Sequence, residues 1–206
     1  MDNKFFKFAS GTLISVAMLG CAGTASLDKS TSFELFSPDL AGGSFSNEFI
    51  LNGFGCSGAN ISPELRWKNA PEGTKAFAIN VLDVDAPTGN GFWHWTVYNI
   101  PAASMGLPRG AGNSQASLPQ PAFGGNTDFV DTGATKGNGN YGGPCPPTGD
   151  KPHHYVFTIY AYGVDDIQVA GGVPKTGSAA LYGFVLNKGI GNKLLGKASF
   201  TATYGR

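Results

Sequence analysis

From Ala76 to Asp83 the chain reads AFAINVLD, with Phe77, Ile79, Val81 and Asp83 in phase. A period of two puts alternate side chains on one face of a strand, so this segment predicts a strand whose inward face ends in a carboxylate at the rim of a core. Ala86-Pro87 followed by Thr88-Gly89-Asn90-Gly91 reads as a turn and loop. Phe92 to Ile100 then resumes as a strand rich in aromatic and β-branched residues. Strict alternation places Phe92, His94, Thr96, Tyr98 and Ile100 on one face and Trp93, Trp95, Val97 and Asn99 on the other. The connecting loop suits an antiparallel pair, which brings Asp83 and His94 to the same end. His154 to Tyr162 predicts a third strand, with His153 and His154 at its junction and on opposite faces. Before it, Gly142-Gly143-Pro144-Cys145-Pro146-Pro147 is neither helix nor central strand, because prolines remove donors and fix φ while glycines allow unusual angles. Ser178 to Lys188 is the one predicted helix, capped by Ser178, striped by Leu181, Phe184 and Val185, and ended by Gly189.

The chain has 206 residues, which suits one domain with a real core. Its 31 glycines and 13 prolines agree with many turns. Lysines and arginines are scattered and the formal net charge is zero, so no basic patch for nucleic acid is visible. Thr132 to Gly143 is a Gly- and Asn-rich loop expected to border any pocket near the Gly-Pro loop.

The amino terminus reads as a targeting segment. Lys4 and Lys7 precede an apolar stretch, Phe8 to Gly20, too short to span a bilayer comfortably. Met18-Leu19-Gly20-Cys21 is similar to a bacterial lipobox, in which Cys21 becomes the lipidated first residue; ordinary cleavage near Ala25 is the alternative. The expected organisation is a signal peptide over 1–20, a short tether over 21–32 and one domain over 33–206. Removing residues 1–20 deletes two lysines and one aspartate from a chain of zero net charge, leaving −1. These features predict an exported bacterial protein, periplasmic or membrane-anchored, touching the membrane only through a lipid on Cys21. Cys56 and Cys145 then remain as an even pair in an oxidising compartment and are expected to form a disulfide, with two buried free thiols as the alternative.

Candidate chemistry is concentrated in two stretches that hold all three histidines with Asp83 and Asp85. Carboxylates and imidazoles can bind zinc or act as acid and base, so a metal-dependent hydrolase is one reading. Neither a GxSxG nor an HExxH pattern is present, and no CxxC partner stands near Cys56 or Cys145; no metal and no cofactor are expected. Plain structural uses remain open for each residue: a buried, carboxylate-bonded imidazole for His94, a turn cap for Asp83, packing for Trp93 and Tyr155.

Taken together, Asp83-Val84-Asp85-Ala86-Pro87, Trp93-His94-Trp95-Thr96-Val97-Tyr98-Asn99-Ile100-Pro101 and Gly143-Pro144-Cys145-Pro146-Pro147 with His153-His154-Tyr155-Val156-Phe157 closely resemble the phosphatidylethanolamine-binding protein family, in its bacterial Raf-kinase-inhibitor-like branch. The likeness extends to Gly53-Phe54-Gly55-Cys56-Ser57-Gly58 and to the ending Lys197 to Arg206. It implies a mainly β fold, a large antiparallel sheet packed on a smaller one with one or two peripheral helices, and a small anion-binding pocket at one end. Carried across by motif, the ligand-binding residues are Asp83, His94, Gly143, Pro144, His153 and Tyr155, supported by Asp85, Pro87 and Trp93. Val84 stands where the family pattern has proline and His154 where it has arginine, replacing a fixed charge by one that depends on pH. The implied ligand is a phosphate-bearing small molecule or headgroup. The implied rival is a protein-interaction module that inhibits an unknown protein partner.

Overall fold

The central strand of the protein, Ala76–Asp83, is buried along nearly its whole length, because both faces of the sheet that contains it are covered. The structure is a computed structural model that describes residues 32–206; the expected signal peptide, Cys21 and most of the expected tether lie outside the described residues. Ten strands are present among these: β1 (Glu34–Phe36), β2 (Asn52–Gly53), β3 (Cys56–Ser57), β4 (Leu65–Lys68), β5 (Ala76–Asp83), β6 (Phe92–Pro101), β7 (Gly106–Leu107), β8 (Phe123–Gly124), β9 (His153–Tyr162) and β10 (Leu194–Tyr204). A five-stranded antiparallel sheet has the order β10-β9-β5-β6-β8, a three-stranded sheet the order β1-β4-β7, and β2-β3 form a small hairpin. The architecture is the expected one, a large sheet packed on a smaller sheet with two short helices.

One face of the large sheet carries Phe77, Ile79, Val81, Phe157 and Ile159 into a core shared with Leu35, Leu65, Trp67 and Leu107 of the small sheet. The opposite face carries Ala76, Ala78, Tyr98, Tyr160 and Tyr162 against Ile167, Tyr182, Val185 and Leu186 of the helical layer. Each fully buried large apolar side chain of this kind contributes about 1.5–3 kcal/mol of transfer free energy, so it is the double cover that fixes β5 at the centre.

Strand β6 departs from strict alternation twice. Phe77 pairs with Ile100 but Ile79 with Val97, and Val81 pairs with Trp95 but Leu82 with Trp93; each step inserts one extra residue into β6, a β-bulge. The bulge at His94 lets His94 and Trp95 both serve the face toward the small sheet, and the one at Asn99, whose φ is 55°, restores Ile100 to that face. The predicted division of β6 into two faces is therefore corrected beyond His94. Asn99 is held in its left-handed conformation by donating its amide to the Tyr162 hydroxyl and its Nδ2 to Asp166, the residue that caps the next helix.

Two helices lie on the outer layer, α1 (Ile167–Gly171) and α2 (Ala179–Phe184), the latter running on as a single π turn to Gly189. Ser178 caps α2 by accepting the Leu181 amide, as expected. The predicted stripe is corrected: Leu181 and Phe184 are exposed, and the buried side is Ala179, Tyr182, Val185 and Leu186. Tyr182 stacks on Tyr98 with ring centroids 4.1 Å apart, which turns that side of the helix toward the sheet. Helix α1 had no sequence-based expectation; its five residues are too few to show a period.

Candidate functional site

Asp83 ends β5 at the rim of the sheet, and its side chain is buried. Its two oxygens divide the work. Oδ1 accepts the amides of Asp85 (3.0 Å) and Ala86 (3.1 Å), the turn-capping use of an aspartate, while Oδ2 lies 2.7 Å from His153 Nδ1 and 4.0 Å from His94 Nε2. The turn-capping use of Asp83 is thus observed, and the turn toward Pro87 aims the remaining oxygen at the histidines.

His94 is held by the Gly-Pro loop in both directions. Its Nδ1 donates to the Gly142 carbonyl (2.8 Å), and the Gly142 amide donates to the His94 carbonyl (3.0 Å). A carbonyl only accepts, so Nδ1 carries a proton, and in the neutral ring it is a bare Nε2 that faces Asp83. Burial lowers the pKa of His94 below the ordinary imidazole value, against the opposing pull of the Gly142 carbonyl and the Asp83 charge.

His153 opens β9, and both its ring nitrogens face carboxylates, Nδ1 to Asp83 and Nε2 to Asp150 at 3.4 Å. Burial lowers its pKa, but the hydrogen bond to Asp83, that carboxylate's charge and Asp150 outweigh burial, so the net shift is upward. His154 points the other way and is exposed; its ring and amide both donate to Asp85 Oδ2 at 2.7 Å, which holds the Asp85 carboxyl below its usual range.

Tyr155 stands on the buried side of β9, edge-on to His94 with centroids 5.1 Å apart. Its hydroxyl is buried without a hydrogen-bond partner among the described residues, and burial with the nearby Asp83 charge raises its pKa strongly.

Above Asp83, His94 and His153 opens a cavity of about 160 Å³. Its walls are largely apolar: Leu51, Phe54, Phe92, Phe129, Pro87 and the Cys145-Pro146-Pro147 segment. Gly143 and Pro144 lie behind this wall, not on it. The Gly143 amide donates to Asn60 Oδ1 (2.8 Å), and the Pro144 carbonyl accepts the Leu51 amide (3.2 Å). Pro87 lines the cavity; Trp93 does not, and its backbone is paired with Asp128. Of the Thr132 to Gly143 loop, the backbones of Gly142 and Gly143 reach the site, both through His94.

The loops are tied together by the expected disulfide, Cys56–Cys145, and by Arg206, whose guanidinium donates to the carbonyls of Pro146 (2.7 Å) and Gly55 (3.0 Å). Phe54, Phe92, Phe129, Asn60 and Arg206 were not among the expected site residues. Phe129 had a visible cue, a lone pair of apolar residues in the polar run Thr127-Asp128-Phe129-Val130-Asp131; Asn60 had none, since its contact spans 83 residues. Among the described residues no group of three or more His, Cys, Asp or Glu side chains is arranged to hold a metal ion.

The phosphatidylethanolamine-binding protein family model matches residues 41–205, a span that includes every group just described except Arg206. The chain belongs to this family. It is similar to the Escherichia coli UPF0098 protein YbcL, at 44% identity over 161 residues covering 77% of this chain and 82% of that protein. The crystal structure of E. coli YbcL, described as a member of the mammalian PEBP family, superposes with a TM-score of 0.73 and 41% identity, covering 85% of this chain and 99% of the other. E. coli YbhB is 38% identical over 172 residues, covering 83% of this chain and 99% of that protein. A Mycobacterium tuberculosis protein named putative lipoprotein LppC is 39% identical over 107 residues, covering 52% of this chain and 46% of that protein.

Proposed function

We propose that this protein binds small phosphate-bearing molecules, of which a phosphoethanolamine-type headgroup is the representative, in the cavity above Asp83, and that it does so as an exported protein. The observation that carries the reading is the convergence of Asp83, His94 and His153 on the floor of one apolar-walled cavity. Few polar groups at the base of an apolar enclosure is the pattern of a small-molecule site. At about 160 Å³ the cavity is smaller than the ~300 Å³ at which drug-sized pockets begin, so it encloses a headgroup or small anion and leaves any acyl chain outside. The rim holds Phe54 with 59% of its surface exposed, stacked on Phe129 with centroids 6.1 Å apart, a surface suited to the carbon chain of such a ligand. No chemical step is required.

Export is supported by the lipobox-like Met18-Leu19-Gly20-Cys21, by the disulfide, and by the name of the related LppC protein. Cys21 is the proposed lipidation site, and the lipid on it the only membrane attachment.

The test is an NMR titration of the intact protein with phosphoethanolamine, following the imidazole resonances of His94 and His153. Saturable shifts at both rings, lost in His94→Ala, are expected. Absence of shifts at about pH 6 and again near 7.5 removes the phosphate assignment and turns the search to protein partners.

A further inference from the structure

The lining of the cavity offers few side-chain donors. Among the described residues no lysine or arginine lines it, and the guanidinium of Arg206 is spent on carbonyls behind its wall. The Gly142 and Gly143 amides, the glycine donors of the loop beside the cavity, are committed to the His94 carbonyl and to Asn60. The Thr88 hydroxyl donates to the Gly91 carbonyl at 2.6 Å. Both ring nitrogens of His153 face carboxylates. What lines the floor is a pair of acceptors, Asp83 Oδ2 and the bare His94 Nε2, 4.0 Å apart; the Tyr155 hydroxyl has no partner among the described residues, but Tyr155 does not line the cavity.

A phosphate oxygen entering this gap meets a negative oxygen on one side and a lone pair on the other, and both repel it. One proton placed in the gap removes the conflict by turning Nε2 into a donor or the phosphate into a P–OH that donates to Nε2. We propose that the pocket takes up a phosphate group only together with one proton held at His94 Nε2, and that it therefore favours phosphomonoesters, which bring an acidic P–OH, over phosphodiesters, which do not. This rests on the phosphate reading above. The only bond that changes is an O–H or N–H: below its second pKa of about 6 a monoester delivers the proton from its own P–OH, above it the proton comes from solvent, and a diester requires one from solvent throughout.

The surroundings of His94 fit this assignment. Asp83 from β5, His153 and Tyr155 from β9, and Asp128 from the loop after β8 are the titratable groups around it, with Phe92 of its own strand and Phe129 closing the apolar side. Burial keeps the free ring neutral, and Asp83 and Asp128 favour the charged ring, so the ring is set to gain a proton when a second anion arrives.

The experiment is calorimetric titration of the intact protein with phosphoethanolamine and with glycerophosphoethanolamine, each in two buffers of unlike protonation heat, between about pH 6 and 8. Uptake close to one proton per ligand above about pH 7, affinity falling about tenfold per pH unit there, and a diester at least about tenfold weaker at pH 6 are expected. Nitrogen NMR of the His94 ring gives a second readout, with Nδ1 alone protonated in the free protein and both nitrogens protonated in the diester complex. Binding with no proton uptake and a flat pH profile overturns this inference and leaves the phosphate reading standing. Failure of both ligands to bind at any pH overturns the two together.

Discussion

His153 Nδ1 and Asp83 Oδ2 stand 2.7 Å apart inside the protein, joining the first residue of β9 to the last residue of β5. Strand β5 is paired with β9 along its whole length, ending with Asp83 opposite Tyr155, so the bond closes the open end of the ladder. The other oxygen of the same carboxylate fixes the turn that follows β5. One side chain therefore sets the direction of the loop and the orientation of the histidine.

Asp83→Asn separates these roles. The carboxamide oxygen can still accept the amides of Asp85 and Ala86, but its nitrogen meets His153 Nδ1 donor to donor whenever the ring is charged. A hydrogen bond to a charged group contributes about 1.5–3 kcal/mol, and the variant is expected to lose that much unfolding free energy in urea titration at pH 6.5. The His153 pKa is expected to fall, read from its ring proton shifts. An unchanged pKa would show that Asp150 alone holds the charge on His153.

The two buried histidines make stability depend on pH in opposite senses. His153 has a raised folded pKa, so its contribution is complete below the unfolded value near 6.5 and is lost as pH rises through the folded value. His94 has a lowered folded pKa, so its contribution is complete above about 6.5 and is lost as pH falls toward the folded value. The urea midpoint is expected to pass through a maximum near pH 6.5. His94→Asn should flatten the acid limb and His153→Asn the alkaline limb; a variant that flattens the opposite limb contradicts the assignment.

Gly143 is required by space rather than by backbone angle. A Cβ there would fall 2.1 Å from the Phe49 carbonyl oxygen and 2.6 Å from the Leu51 nitrogen, both backbone atoms that cannot swing away. Gly143→Ala is expected to cost about 1–3 kcal/mol and to disturb the Asn60 bond that seats the loop. Gly42→Ala is the control, since none of the described residues lies within 4 Å of its added carbon; it should be neutral or gain up to about 1 kcal/mol through the unfolded chain. Equal losses in thermal or urea unfolding would mean that the loop tolerates the carbon.

Much of this arrangement was legible in the chain because short-range pattern governs it. Phe77, Ile79, Val81 and Asp83 do share one face of β5, and the turn residues after Asp83 bring β6 back beside it. The pairing of Cys56 with Cys145 followed from their number and from the expectation of export. The bulges at His94 and Asn99 were not legible, since a bulge depends on what the partner strand and the layers above demand; Asn99 is set by Tyr162 and Asp166, more than 60 residues away. The buried side of α2 was misjudged for a related reason. Leu181 and Phe184 are apolar but face outward, and Tyr182, amphipathic in sequence, is the residue that Tyr98 receives. The commitment of the Gly142 and Gly143 amides lies in contacts with His94 and Asn60 that no local pattern announces.

The bridge between Cys56 and Cys145 spans 89 positions, long enough that its removal should lower stability by about 2–4 kcal/mol, chiefly by freeing the unfolded chain. Its effect on binding is a separate matter, because Cys145 lines the cavity but does not hold its wall alone. Arg206 grips Pro146 and Gly55 across the same seam, and Asn60 anchors Gly143. Cys56→Ala with Cys145→Ala is thus expected to shift the urea midpoint while leaving phosphoethanolamine affinity within about threefold, or some 0.6 kcal/mol. Adding Arg206→Ala removes the second tie and should weaken binding by about tenfold more. A tenfold loss in the cysteine variant by itself would show that the bridge shapes the wall, and that the arginine does not suffice to keep it.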